Sequence, residues 1–578
     1  MKRPTNEELA DKIEETGLLY ELQGVPFKPR AYARAADQIA SFGRRITDLH
    51  KEKGEAGLRE IPGVGPGIAE HLAELIETGT FAEYARLKKA LPIDVRDLER
   101  VEHVGPKTAL ALYKKLGVRN VADLRKASAA KKLAKVVGAA TAEKISKALT
   151  FLSTTGDREI LGHVLPLAER IVQDLRAVPG VTHAVVAGSV RRRQETIGDF
   201  DFIVTADDAE AVMKRFMKSP RVAKMIEHGP TMTIVRLKNG MHADVRIVEN
   251  HAYGAVLQHF TGSKEHNIAL RAIAAKRGLK LNEYGLWKGA KRVAARTEED
   301  VYRALGLPYI EPELRTNEGE LEAAKAGTLP KLIPYGAVRG DLQVQTSWTD
   351  GAATIEKMAA EAKARGMEYI AVTDHTKALA MTGGLDEKRL AGQGREIDAL
   401  NKKLKGFRIL KGSECDILKN GDMDLSDAAL ASLDFVGASI HSYFKLSSAE
   451  QTARVIRAMK NSNVDCIFHP TGRLIGTRPP YEIDMLAVLK AAKATGTAME
   501  IDAFPNRSDL RDAHVRMAVK LGVKLIIDTD AHHPSHLGYL DLGVAIARRG
   551  WAEKSDVLNT RSVEELLKWL KTPKAKRV

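Results

Sequence analysis

The seventeen residues from Gly188 to Val204, GSVRRRQETIGDFDFIV, constrain this chain more than any other stretch. An apolar run, Ala184 to Ala187, leads into the small-residue turn Gly188-Ser189. Three arginines follow, Arg191, Arg192 and Arg193, and then Asp199-Phe200-Asp201 enters a second apolar run. The pattern predicts a strand, a turn and a second strand. Side chains two apart on a strand share a face, so Asp199 and Asp201 project together while Phe200 points into the core. A lone pair of carboxylates on a strand is more often a solvated edge than a metal site. Here the turn adds backbone N–H groups and a hydroxyl for a phosphate, and the arginines add charge-assisted donors. Paired carboxylates with hard oxygen atoms suit Mg²⁺ or Mn²⁺. These are the parts of a metal-dependent nucleotidyl-transfer site.

A third carboxylate is expected from Thr231 to Val248, two alternating strands about the turn Asn239-Gly240. Asp244 lies in the second of them and can face Asp199 and Asp201 if that hairpin adjoins their strand. The series GS-V-RR-x₅-GD-x-D, a later strand Asp, Phe260-Thr261-Gly262-Ser263 and Leu281-Asn282-Glu283-Tyr284 resembles the palm of family X DNA polymerases. The resemblance implies that Asp199 and Asp201 bind two metals, and that Asp244 binds one and accepts the primer 3′-hydroxyl proton. It implies nucleotide contacts at Gly188, Ser189, Arg192, Gly198, Phe260, Gly262 and Asn267, and a template contact at Arg271. His259 stands where tyrosine is common, so sugar discrimination is expected to differ. Without the resemblance, Asn267 and Arg271 would read as an exposed helix face.

A chain of 578 residues is too long for one core. No 18-residue apolar run exists, so no membrane span is expected, and the charged N-terminus is not expected to be a secretory signal. Cys415 and Cys466 allow at most one disulfide, which fits a reducing cytoplasm. The net charge of +15 suits a polyanionic partner, though a merely basic soluble protein would share it. Residues 1–88 are helical by pattern. Within them Leu58 to Leu72, LREIPGVGPGIAEHL, carries a helix-hairpin-helix signature at Gly63 and Gly65. A second copy, Leu98 to Leu112, turns at His103-Val104-Gly105, about 40 residues on, and a fainter third runs from Val136 to Ile145. Such glycines let backbone approach a phosphate at a helix N-terminus, without reading sequence. In related enzymes with deoxyribose-phosphate lyase activity, a lysine after the first hairpin forms a Schiff base, which needs a primary amine. The matching residue here is His71, with Gly67 in the turn, so little lyase activity is expected unless a lysine such as Lys88 compensates.

After a Pro-, Gly- and charge-rich stretch at Glu311 to Pro334, read as a linker, the pattern changes. Seven short apolar runs alternate with helical segments: 341–345, 369–375, 408–414, 435–441, 466–469, 498–502 and 525–532. Alternation of this kind predicts a parallel barrel whose site lies at the strand C-termini. His375, Glu414, His441, His469, Asp530 and His532 stand at those ends. One buried histidine is usually a core residue, but six such groups at one edge form a Zn²⁺ or Mn²⁺ cluster pattern. This half resembles the polymerase-and-histidinol-phosphatase (PHP) domain, which hydrolyses phosphoesters and in bacterial family X polymerases supplies a 3′–5′ exonuclease. The family's first motif carries two histidines where this chain has Gln343 and Gln345. An incomplete cluster is expected, favouring Mn²⁺, with Asp350 standing where relatives have a third histidine.

The expected fold is multidomain α/β. It comprises helix-hairpin-helix domains (1–88 and fingers, 89–150), a nucleotidyltransferase palm of mixed β-sheet with helices (151–252), a thumb (253–315), a linker (316–338) and a PHP (β/α)7 distorted barrel (339–578). The expected function is DNA-directed gap-filling synthesis in repair by a cytoplasmic, nucleoid-associated monomer, with gapped or primer-template DNA and dNTPs as partners. The alternatives are a DNA nuclease or phosphoesterase, or a DNA-binding scaffold, in which the palm only binds DNA.

Overall fold

The computed structural model describes every residue except 1–3, 5, 41, 43, 44, 100, 102, 103, 156, 157 and 578. The chain separates into two compact units, one of them Met1–Gly156 with Gly476–Arg478 and the other Asp157–Ile475 with Pro479–Val578.

The first unit is all helical, and one apolar core that includes Leu9, Leu58, Leu72, Leu98, Leu112 and Ile145 runs through it. Its helical hairpins follow directly from their glycines and prolines. Gly63 turns the chain at φ +79°, Gly65 caps the helix Pro66–Thr78, and Pro66 opens that helix where a missing N–H costs nothing. Gly105 and Pro106 repeat this before Pro106–Leu116, while His103 of that turn lies outside the described residues. The third hairpin is present too. Gly138, at φ +80°, separates Ala134–Val137 from Ala139–Thr155.

The second unit opens on the palm. Five strands lie in the order Val181–Val186, Asp199–Ala206, His242–Ile247, Met232–Leu237 and Val222–His228. Phe200, Phe202 and Val204 pack against the amphipathic helices Leu161–Arg176 and Ala209–Met217. Ile203 points the other way and meets Val256 and Leu257 of the helix Tyr253–Thr261. The first of these helices begins at Leu161, with Pro166 inside it, and Leu161 and Val164 bury in the palm core.

Residues 316–338 do not form the linker that their composition suggested. They contain the helix Glu320–Ala326, and Leu321, Ala324 and Leu332 join Leu314 in the thumb core. Glu318, Glu322, Lys325 and Lys331 are exposed, but one charge that made the stretch look solvated is held inside. Glu320 is fully buried, accepts from the backbone N–H groups of Asn317 and Glu318, and lies 2.6 Å from His266 Nδ1.

The C-terminal region is a seven-stranded parallel sheet in chain order: Gly340–Val344, Tyr369–Val372, Arg408–Asp416, Phe435–Ser439, Cys466–Ile467, Ala498–Asp502 and Leu525–Asp528. A bridge from Val344 to Ala531 joins the first strand to the segment after the last, bringing the ring close to closure. Both cysteines are buried and free.

Candidate functional site

The palm carboxylates are positioned by strand register. Asp199–Ala206 runs parallel to His242–Ile247, with Asp201 directly opposite Asp244 and Asp199 opposite His242. The hairpin about Asn239-Gly240 supplies that neighbour, so all three acids stand at one end of adjacent strands. Asp199 is exposed, whereas Asp201 and Asp244 are half-buried. Burial, then the charges of Asp199 and Asp244, raise the Asp201 carboxyl to about 7. Burial raises Asp244 as well, against the opposing pull of Arg246. Carboxylates that hold protons this tightly are ones that a cation would relieve. The chemistry of this donor set therefore fits divalent ions with oxygen ligands.

The turn before them is built to the same point. Gly188 sits at φ +59°, and a Cβ there would lie 2.3 Å from Asp201 Oδ2, so only glycine lets backbone pass the carboxylate. A one-turn helix, Gly188–Arg191, follows where a bare turn was expected. Ser189 is half-buried beside it. Of the arginines, Arg191 is not available as a clamp. It donates to Glu298 Oε1 and Oε2 at 2.9 and 2.6 Å and to Thr261 Oγ1 at 2.6 Å, and Arg315 shares the same carboxylate at 2.6 Å. Arg192 donates to the Thr261 carbonyl while its Nε is buried without a partner. Gly262, at φ +71°, ends the helix Tyr253–Thr261, and a Cβ there would lie 2.9 Å from Arg192 Nη1. Gly198 approaches Arg158 in the same manner, at 3.1 Å. Phe260 lies under the Arg246 guanidinium, 4.5 Å from it. Asn267 is buried: its amide accepts from Gln258 and donates to the His259 carbonyl, both at 2.7 Å. Arg271 is exposed on the neighbouring helix face.

In the helical unit, Gly65 and Gly105 have nothing within 4 Å of a would-be Cβ, so both hairpin turns leave room for close approach. His71 lines a cavity of about 430 Å³ with Tyr20, Lys28, Tyr32 and Gly67. Its Nδ1 is 2.8 Å from Tyr32 Oη, it stacks on Phe81, and burial lowers its pKa. Lys88 pairs with Glu15 and donates to the Ile93 carbonyl, so it is committed elsewhere. The amine that lines the cavity is Lys28, which the sequence reading did not single out.

The barrel gathers its predicted ligands around Glu414. That carboxylate, almost fully buried, lies 2.7 Å from His469 Nε2, 3.2 Å from His441 Nε2 and 3.3 Å from His375 Nδ1. Burial alone would raise its pKa, but His375 and His441 outweigh it and hold Glu414 well below the usual range. His375 and His532 lie 3.7 and 3.8 Å from the oxygens of Asp350. Ligand atoms of Asp350, His375 and His532, and of His375, Glu414 and His441, fall within 4.8 Å of one another. Convergent imidazoles and carboxylates at that spacing fit Zn²⁺ or Mn²⁺. Asp416, unremarked in the sequence, lies 2.6 Å from His441 Nδ1 and would fix that ring. The Glu-x-Asp spacing on one strand was the signal for it. Gln345 donates to Glu414 Oε2 at 2.8 Å and so acts as a donor to the cluster.

Palm and barrel also touch. Arg473 of the barrel donates to both Glu195 oxygens, at 2.5 and 3.2 Å, and Arg549 donates to the carbonyl of Arg193, which sits at φ +53°. The backbone just after the Gly188 turn is thereby held from the barrel side.

A mixed-sheet palm with three convergent carboxylates, joined to a histidine-rich parallel barrel, defines a nucleotidyltransferase core coupled to a phosphoesterase-type barrel. A DNA polymerase beta thumb model matches residues 256–316, a helix-hairpin-helix domain residues 4–81, a helix-hairpin-helix tandem residues 95–150, and a PHP domain residues 341–476. The chain is 36% identical to the DNA polymerase/3′-5′ exonuclease PolX of Bacillus subtilis, over 97% of this chain and 98% of that protein. DNA polymerase lambda of Rattus norvegicus is 25% identical over 54% of this chain and 56% of its own. A probable phosphatase of Caldicellulosiruptor saccharolyticus matches 38% of this chain, and 89% of itself, at 30% identity. The chain belongs to the bacterial family X DNA polymerases that carry a C-terminal PHP domain.

Proposed function

We propose that this chain is a template-directed DNA polymerase that fills short gaps during repair, with dNTPs as substrates and a separate hydrolytic site in its barrel. The observation that carries the reading is the register that sets Asp201 opposite Asp244, with Asp199 on the same face beside the Gly188 turn. Divalent ions held there, Mg²⁺ or Mn²⁺, would supply charge stabilisation for an in-line displacement. Asp199 and Asp201 would hold both ions, and Asp244 would hold one and accept the proton of the primer 3′-hydroxyl. Backbone N–H groups of the Gly188 turn, with Ser189 and Arg192, orient the triphosphate. Gly262 and Phe260 form the wall for the sugar.

The hairpin glycines Gly63, Gly65 and Gly105 grip the DNA backbone without reading bases, which suits a partner defined by a gap rather than by sequence. No helix among the described residues is long and apolar enough to cross a membrane. A cytoplasmic monomer working at the nucleoid is the setting we propose. In the barrel, Glu414 with His375, His441 and His469 would hold a divalent ion, which would supply an activated water for hydrolysis of a 3′-terminal phosphodiester.

Primer extension on gapped duplex DNA with Mn²⁺ tests the reading. The parent should extend and Asp199→Ala should not, while any 3′–5′ degradation persists in the variant. Normal extension by Asp199→Ala would remove the assignment. A parent that degrades but never extends would favour the nuclease alternative.

A further inference from the structure

The barrel cluster is uneven. Around Glu414 the neighbours are imidazoles, which are lone-pair donors to metals. Asp530 has one imidazole beside it, His532, whose Nδ1 lies 3.7 Å from Asp530 Oδ1, but on its other side the neighbour is a fixed cation. Arg507 reaches in from the loop after the strand Ala498–Asp502, and its Nε lies 3.2 Å from Asp502 Oδ2 and 3.3 Å from Asp530 Oδ2. Both carboxylates are buried, and the guanidinium lies between them as a bound cation would. Arginine stays charged at every working pH and offers donors only.

The loop holds that side chain in place. The Arg507 carbonyl accepts from Arg473 Nε at 3.0 Å, Arg473 Nη2 also reaches the Ser508 carbonyl, and Ser508 sits at φ +48°. The strand that carries the first-motif residues lies alongside, since Ala531 N–H donates to the Gln343 carbonyl and Gln345 N–H to that of Ala531. Those residues bring no strong ligand. Gln343 and Gln345 are fully buried, Gln345 uses its N–H on Glu414, and the other side-chain amide atoms lack protein partners. A neutral amide is a poor substitute for imidazole toward Zn²⁺ or Mn²⁺. A divalent ion at Asp530 would also face the fixed positive charge of Arg507 a few ångströms away. The donor sets of Asp350, His375 and His532 and of His375, Glu414 and His441 fit metal, whereas the face of Asp530 turned to Asp502 and Arg507 does not.

We propose that Arg507 is a built-in cation: its guanidinium holds the Asp502–Asp530 end of the barrel site in place of a metal ion, so that ions enter only against the histidines. The two amides and the arginine then form one matched set, in which loss of imidazole ligands is offset by an internal positive charge. This rests on reading the histidine cluster as a metal site, and the test separates the two ideas.

The full chain would carry Asp199→Ala, Asp201→Ala and Asp244→Ala, so that the palm does not contribute ions. After chelation and titration with Mn²⁺ or Zn²⁺, bound metal per chain is counted by equilibrium dialysis with elemental analysis. Two ions are expected. Gln343→His with Gln345→His should still bind two while Arg507 is present, and should bind three once Arg507→Met is added. The melting temperature of that last variant should rise more with Mn²⁺ than that of the starting chain. Three ions in the starting chain, or a third ion in the double-histidine variant with Arg507 intact, would overturn the proposal. Both of those arms keep Arg507, so they hold even if Arg507→Met does not fold. No bound ion at all would instead overturn the metal-site reading beneath it.

Discussion

Replacing Asp201 with asparagine tests whether the palm holds its carboxylates together against their own repulsion. Burial, then Asp199 and Asp244, move the Asp201 carboxyl from its ordinary 3.8 up to about 7. The unfolded chain therefore releases this proton near pH 3.8, while the folded chain keeps it until about 7. A raised carboxyl pKa opposes folding: the penalty is absent below the unfolded value, grows between the two and is complete above the folded one. Its full size is about 4 kcal/mol, reduced to roughly 2–4 kcal/mol by water at the mouth of the site. In metal-free protein, Asp201→Asn should stabilise the palm by that amount at about pH 8, by about 1–2 kcal/mol near pH 5, and hardly at all below pH 4. Urea-dependent hydrogen exchange in the strand Asp199–Ala206 reads the palm separately from the other domains. Mn²⁺ should reverse the order, because the ion relieves the parent's charge and asparagine offers only a neutral oxygen. Equal stabilities at pH 8 without metal, or equal stabilisation of both proteins by Mn²⁺, would refute the reasoning.

Three further outcomes are expected. Glu298→Ala strands Arg191 and the fully buried Arg315 without their shared carboxylate, and should cost about 3–5 kcal/mol in urea unfolding of the palm and thumb. His441→Ala should remove 3′–5′ degradation of single-stranded DNA while leaving gap filling within about twofold, and parallel loss of both activities would argue that the sites are coupled. Borohydride trapping on DNA with a 5′-deoxyribose phosphate should give no adduct through position 71, because histidine has no primary amine. An adduct lost in Lys28→Ala would assign that chemistry to the one lysine lining the cavity.

How far the sequence revealed this molecule depended on how local each cause was. The alternation in DFDFIV set Phe200 inward and its flanking acids outward without reference to anything distant, and the structure keeps that pattern. The hairpin about Asn239-Gly240 was equally local, but its parallel seating against Asp199–Ala206 came from tertiary packing. The barrel was legible because six of the seven apolar runs ended in a ligand-type residue, so topology alone gathered Glu414 with its histidines. Arg191 could not be read, since its partner Glu298 lies 107 residues away. Nor could Arg507, which sits in a loop with no periodicity. The stretch 316–338 misled for a related reason. Its charges suggest solvent, yet Glu320 is capped by backbone N–H groups inside the thumb. Composition shows that a charge exists, and only the fold shows what neutralises it.

The most direct measurement is anomalous diffraction from crystals of the full chain soaked with Mn²⁺ and a non-hydrolysable dNTP. The account predicts two manganese peaks about 4 Å apart, bridged by Asp199 and Asp201, with Asp244 on one of them and the triphosphate against the Gly188 turn. Triphosphate bound with no manganese at these three carboxylates, or with Asp244 turned away from both ions, would contradict it.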